Sequence, residues 1–240
     1  MMHLKNFKVI VTGGSTGLGF AFKKRFIKEG AFVVDWSRGW GFDVTKKLPV
    51  VKDVDVLICN AGVIGSIGPL ESTSLKDWKR AIDVNLFGVV NCVKAVLPAM
   101  IKQKHGKIII VSGGGATRAI PTISSYCASK TAVVRFAETL ALEVHKHGID
   151  VNCISPGLLP TDIHDFASRS PLCDSNYKQE IAKAKKLTSK AFIAPCNLAV
   201  WLAGYNSIGV TGRLISAVWD DYTLLNSNTP KNQFTLTRQL

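Results

Sequence analysis

Short apolar runs alternate with longer amphipathic stretches along this 240-residue chain. Lys8–Val11, Ala31–Trp36, Val54–Cys59, Ile108–Val111, Ile149–Ile154 and Leu214–Val218 read as strands. Their apolar character is continuous rather than alternating, which predicts parallel strands buried on both faces. Gly17–Glu29 places Leu18, Phe22 and Phe26 on one helical face at four-residue spacing. Leu75–Met100 and Ser125–His145 are long enough for two further helices, and the second carries the stripe Val133, Phe136, Leu140 and Val144. The pattern predicts an α/β fold, a doubly wound parallel sheet, as a single domain over residues 1–225. A polar tail follows over 226–240, either loose or an oligomer contact. The connection after the second strand is short. Only Ser37–Asp53 precede the next strand, so the usual helix is reduced or absent there, with Asp43 expected to mark a short third strand.

Composition narrows the class only a little. With 47% hydrophobic and 20% charged residues, the chain is ordinary for a soluble globular protein. No apolar run reaches the roughly 18 residues of a membrane span, and the N-terminus lacks the pattern of a signal peptide. Six cysteines without a C-x-x-C pair predict reduced thiols in a cytoplasmic protein rather than disulfides, and neither they nor the five histidines show metal-ligand spacing. The net charge of +13 is spread along the chain. Its densest stretch, Lys178 to Lys190, holds Lys183, Lys185 and Lys186. It reads first as a solvated helical face and second as the rim of an anion-attracting pocket. No aromatics interleave with it, so a nucleic-acid surface is not expected.

Candidate chemistry begins at Thr12-Gly13-Gly14-Ser15-Thr16-Gly17-Leu18-Gly19, between the first strand and the first helix. Glycines there let the backbone turn tightly and approach a pyrophosphate, and the helix N-terminus offers unpaired N–H groups to it. Gly13, Ser15, Thr16, Gly17, Leu18 and Gly19 are therefore candidate dinucleotide contacts. The second strand should carry the residues that read the adenosine ribose. It ends Asp35-Trp36-Ser37-Arg38, and by spacing Ser37 and Arg38 fall at the ribose. A guanidinium there favours the 2′-phosphate of NADP(H). NAD(H) is the alternative if the shortened loop brings Asp35 to the ribose instead. Tyr126 and Lys130 stand four apart and share one face of a helix.

Taken in order, the glycine turn, Asp43-Val44, Asn60-Ala61-Gly62, Asn85, Tyr126 to Lys130, and Pro156-Gly157 followed by Thr161 resemble the short-chain dehydrogenase/reductase family, in its short single-domain branch. The resemblance covers roughly Lys8 to Trp219 and implies a Rossmann fold. It implies that Asp43 and Val44 contact the adenine, that Asn60, Ala61 and Gly62 sit beside the cofactor, and that Pro156, Gly157 and Thr161 hold the nicotinamide. Tyr126 is then the general acid in reduction and the base in oxidation, with Lys130 lowering its pKa and bonding the nicotinamide ribose. Asn85 holds a proton-relay water. Homodimers or homotetramers are usual in the family.

The chain departs from the family where a serine hydroxyl should polarise the substrate carbonyl. That position, thirteen before Tyr126, is Gly113 in the run Val111-Ser112-Gly113-Gly114-Gly115-Ala116. Ser112 is the expected replacement, brought into place by the pliable loop. Ser124 or Ser125, or no residue at all, are the alternatives. The last strand also ends in Trp219-Asp220-Asp221, shaping either the pocket floor or a subunit contact. The variable stretch from Ile163 to about 190 should form a substrate lid, and its lysines and serines favour a polar or anionic substrate such as a sugar nucleotide. The expected activity is hydride transfer between NAD(P)(H) and a secondary alcohol or ketone. A catalytically weak NAD(P)-binding sensor or scaffold is the alternative.

Overall fold

A computed structural model describes residues 4–230 and 232–236. The chain opens with β1 (Lys8–Thr12), α1 (Gly17–Lys28), β2 (Phe32–Trp36) and β3 (Val56–Cys59). It continues through α2 (Leu75–Ile82), α3 (Gly88–Gln103), β4 (Gly106–Val111), α4 (Ser124–Val144) and β5 (Ile149–Ser155). α5 (Asp162–Arg169), α6 (Ser175–Lys185), α7 (Ile193–Ala203) and β6 (Arg213–Ser216) complete it. The strands pair in parallel in the order β2-β1-β3-β4-β5-β6. The expected doubly wound sheet is therefore present.

Side chains alternate across the sheet and build one core on each face. Ile10, Leu57, Ile108, Ile110 and Val151 pack against Val93, Val96 and Met100 of α3 and Val133, Ala137 and Leu140 of α4. Val9, Val11, Ile58, Ile109 and Ile154 point the other way, against Phe22 and Phe26 of α1 and Leu198 and Leu202 of α7. Phe22 and Phe26 are fully buried, as their spacing predicts. Each contributes roughly 1.5–3 kcal/mol by leaving water. The span Leu75–Gln103 is long and apolar enough by composition to cross a membrane, but half of its most apolar window is buried inside the fold. It is broken by a π turn at Asp83–Phe87, which carries Asn85.

Two expectations need correction. No strand forms at Asp43 among the described residues. Its carboxylate accepts from the Thr45 backbone N–H (2.9 Å) and hydroxyl (2.8 Å), which closes a turn and holds the carboxyl below its usual pKa range. A 3-10 turn at Arg38–Trp40 and this turn replace the usual helix and strand, so β2 is left at the sheet edge. The loop folds down onto α3 instead, where Asn91 donates to the Val44 carbonyl at 2.9 Å. The tail is also not loose over its described residues. The Arg213 guanidinium donates to the carbonyls of Thr229, Pro230 and Gln233, and Glu138 accepts from the Leu236 N–H at 2.7 Å.

Candidate active site

The carboxyl ends of β1 and β3 lie at the point where the chain reverses direction across the sheet, so a crevice opens there. It is a cavity of about 1270 Å³, large enough for a dinucleotide with a small substrate. Gly13 and Gly17 take positive φ angles of 64° and 54°, in the region that favours glycine. A Cβ on Gly19 would lie 2.1 Å from the Gly13 carbonyl oxygen, so only glycine lets the turn close. Thr16 makes no side-chain cap to α1, and the first turn of that helix holds no acidic residue. The helix end thus keeps donors and a positive dipole for phosphate oxygens. The cradle fits a pyrophosphate. Ser15, Thr16 and Leu18 line it, and Gly17 faces Thr161 across it, with 3.3 Å between its Cβ position and the threonine methyl.

At the end of β2, Asp35 is turned onto the glycine turn and is not among the cavity-lining residues. Its carboxylate accepts from the Gly14 N–H at 3.1 Å and pairs with Lys23 at 2.9 Å. Asp35 therefore braces the glycine turn with its charge already neutralised. Ser37 accepts from the Ser15 hydroxyl at 2.7 Å, and Arg38 lines the cavity beside it with Asp43 and Val44. Asn60 and Ala61 both donate backbone N–H groups to the Thr12 hydroxyl at 2.9 Å, and the Asn60 amide donates to the Thr12 and Gly13 carbonyls. These bonds tie the ends of β1 and β3 together beneath Gly62.

Tyr126 and Lys130 sit in the wall of the same cavity, on α4. Lys130 is 5% exposed and donates to the Val111 carbonyl at 2.8 Å. Burial pushes its pKa down to about 8. Burial acts on Tyr126 too, in the direction opposite to the expected pairing: its phenol is pushed up to about 12. The ammonium lies 5.7 Å from the tyrosine ring centroid. The Asn85 amide is engaged with the protein. Its oxygen accepts from the Val63 N–H at 2.8 Å, and its nitrogen donates to the Val63 carbonyl and the Ser129 hydroxyl, each at 2.9 Å. Asn85 thereby clamps the π turn to the loop after β3 and to α4. Its remaining capacity toward a relay is one lone pair on Oδ1.

Ser112, the expected hydroxyl, lines the cavity with its proton engaged. Ser112 is buried and donates to the Lys130 carbonyl at 3.1 Å. The residue against the phenol is Gly113, whose added Cβ would lie 3.2 Å from the Tyr126 oxygen. Ser124 accepts from the Trp78 indole at 3.1 Å, and Ser125 donates to the Ile64 carbonyl at 3.4 Å. The glycine loop thus brings Gly113, not a serine, beside the phenol.

Pro156 and Gly157 line the cavity at the end of β5. Gly157 has φ 82°, and a Cβ there would meet Val218 at 2.9 Å, so the loop turns closely under the last strand. Trp219 and Asp220 also line the cavity, which favours the pocket role of that segment. The stretch expected to form a lid holds α5 and α6. Ile163, His164, Tyr177 and Glu180 face the cavity from it, whereas none of its lysines lines it. Lys185 instead pairs with Asp165 at 2.8 Å. Glu180 pairs with Arg118 from the loop after β4. No sequence motif marks His164 and Tyr177, a lone histidine and a tyrosine 13 residues apart.

Comparisons with known proteins agree with this geometry. Residues 43–171 match the family described as short chain dehydrogenase. A 3-oxoacyl-[acyl-carrier-protein] reductase of Chlamydia trachomatis is 30% identical, over 89% of this chain and 96% of its own. A 3-ketodihydrosphingosine reductase of Bacteroides thetaiotaomicron is 34% identical over 76% of each chain. Among solved structures, the aldohexose dehydrogenase of Thermoplasma acidophilum superposes with TM-score 0.75 at 26% identity, covering 89% of this chain and 92% of that one. A gluconate 5-dehydrogenase of Burkholderia cenocepacia, in complex with NADP and tartrate, gives 0.75 at 25% identity and covers 90% and 94%. A glycine cradle facing a buried Tyr–Lys pair, in a sheet and sequence shared with these enzymes, makes this chain a member of the short-chain dehydrogenase/reductase family and an NAD(P)-dependent oxidoreductase.

Proposed function

We propose that the protein interconverts a ketone and a secondary alcohol with NADP(H), using Tyr126 as the proton donor and acceptor. The observation that carries this reading is the placement of Tyr126 and Lys130 in the wall of the cavity that also holds the glycine cradle. The bound nicotinamide supplies or accepts the hydride. A phenol pushed up to about 12 stays protonated at neutral pH, so Tyr126 begins a reduction holding the proton that the nascent alkoxide needs. Lys130, with a pKa of about 8, is mostly charged at neutral pH and favours the phenolate that remains. Ser15, Thr16, Gly17 and Leu18 hold the pyrophosphate, and Asp43, Val44 and Asn60 to Gly62 hold the adenosine half and the cofactor's inner face. Pro156, Gly157 and Thr161 hold the nicotinamide end.

NADP(H) is favoured over NAD(H) because Asp35 is turned onto Gly14 and Lys23 while Arg38 lines the ribose end. The substrate pocket is a mixture of apolar walls, Ile120, Leu158 and Ile163, with polar groups on His164 and Tyr177. A polar hydroxylated ketone suits it. The lid lysines, lying off the cavity, lend no weight to the anionic part of a sugar nucleotide. We place the enzyme in the cytoplasm on the strength of its six free cysteines. We place it in a homodimer or homotetramer on the strength of family habit and of Leu142, 76% exposed on α4. The deciding experiment follows reduced-nicotinamide absorbance with a panel of 3-oxoacyl thioesters, ketogluconates and keto-sugar nucleotides. Turnover with one class supports the reading. Silence across the panel, with cofactor bound, would leave the sensor or scaffold alternative.

A further inference from the structure

The hydrogen-bond donor missing beside Tyr126 has a candidate replacement across the cavity. Position 113 is extended backbone, φ 164° and ψ 173°, with no side chain to offer. Of the three nearby serines, Ser112 donates to the Lys130 carbonyl and Ser125 to the Ile64 carbonyl, while Ser124 accepts from the Trp78 indole and is not among the cavity-lining residues. On the lid, α5 and α6 pack so that His164 Nδ1 lies 3.0 Å from the Tyr177 phenol oxygen. Both side chains line the cavity that Tyr126 and Lys130 line. Tyr177 belongs to the same apolar cluster as Tyr126, together with Ile64 and Ile123.

The pair is rigidly placed. Asp174 caps α6 by accepting the Tyr177 N–H at 2.9 Å, and the Asp174 N–H donates to Thr122 at 2.9 Å, on the segment leading into α4. Tyr177 is 3% exposed, and a buried phenol needs a partner for its proton. His164 is the partner at hand. Burial drops its pKa to about 4, so the ring is neutral and carries one proton. If the phenol donates to Nδ1, that proton resides on Nε2.

We propose that His164, fixed by Tyr177, donates through Nε2–H to the substrate oxygen and takes the part that a hydroxyl at position 113 would play. The proposal rests on the oxidoreductase reading. No proton leaves His164. Tyr126 supplies the proton that the alkoxide acquires, the hydride comes from the nicotinamide, and the imidazole only stabilises charge as it develops on oxygen.

The test uses the full chain with NADPH and whichever panel carbonyl the wild type reduces. His164→Ala should lower kcat by about 10²-fold, with NADPH affinity, read by its fluorescence, unchanged. His164→Gln, which keeps an N–H donor, should recover much of that loss. Gly113→Ser should raise the His164→Ala rate at least tenfold, and by a larger factor than it changes the rate of the wild type. A His164→Ala rate within threefold of wild type overturns the proposal. So does a serine at 113 that helps both backgrounds equally. Imidazole ¹⁵N spectra of the cofactor complex give a readout independent of turnover, with the His164 signals assigned by their loss in His164→Ala. An Nε2-protonated neutral ring at pH 7 is expected, and an Nδ1-protonated ring removes this proposal alone. A wild type silent on every carbonyl removes the oxidoreductase reading beneath it.

Discussion

Lys130 gives a prediction in which function and stability pull apart. The folded protein holds its ammonium almost out of water, and burial lowers the pKa from 10.5 to about 8. In the unfolded chain the lysine titrates normally. Between pH 8 and 10.5 the unfolded state therefore binds a proton that the folded state has released, so stability rises with pH there by about 1.4 kcal/mol per unit. Below pH 8 the full cost of burying the charge is present. Lys130→Met keeps the length of the side chain and removes the titration. It also strips the Val111 carbonyl of its partner at 2.8 Å, a penalty of about 1–3 kcal/mol that does not vary with pH. Urea unfolding of the apo proteins at pH 7 and 9.5 separates the two effects. The wild type should gain about 2 kcal/mol relative to the variant across that interval, because all other titrating groups are shared. A stability difference that is flat with pH would refute the buried-charge account. The variant should also lose turnover, whatever its stability.

Other outcomes test the site piece by piece. Tyr126→Phe should lower kcat by at least about 10³-fold, by removal of the proton donor, while NADPH affinity stays near wild type in a fluorescence titration. Arg38→Ala should weaken NADPH by about 10-fold or more and NADH by little, since a charge-assisted contact contributes roughly 1.5–3 kcal/mol; equal losses for both would count against the 2′-phosphate reading. Ser112→Ala should cost about 1 kcal/mol of stability through its bond to the Lys130 carbonyl, with kcat lowered less than tenfold. A loss of 10² or more would return the serine to the chemistry.

Much of the fold was legible because burial on both faces leaves a local signature. Val9 to Val11, Val56 to Cys59 and Ile108 to Val111 are apolar at every position, and the strands run there to within two residues. Phe22 and Phe26 announced the inward face of α1 by spacing alone. Asp43 misled because a short carboxylate can serve a strand end or close a turn, and Thr45 two residues on decides for the turn. Gly113 was visible as a departure, but the direction of the Ser112 hydroxyl depends on the carbonyl of Lys130, which the fold brings within 3.1 Å from the next helix. The His164–Tyr177 contact depends on how α5 and α6 pack, and no periodicity encodes that. The lysines between 178 and 190 read first as a solvated helical face, and none of them lines the cavity.

The missing helix after β2 has a practical consequence for anyone handling this protein. In register with β1, Phe32 and Val34 face the same way as Lys8 and Ile10, toward the α3–α4 side. Trp36 farther along is covered by stacking on Phe42, with ring centroids 5.5 Å apart. Phe32 and Val34 remain 63% and 51% exposed on a strand whose outer edge has no neighbour in the sheet among the described residues. An open apolar edge is a template for pairing with other chains, so precipitation at high concentration should start there. Val34 belongs to neither of the two core clusters that cover the sheet, so Val34→Lys leaves those clusters intact. It should alter folding stability by only about 0.5 kcal/mol while raising the concentration at which the protein stays clear, because a like charge at every copy's edge makes strand-to-strand addition repulsive.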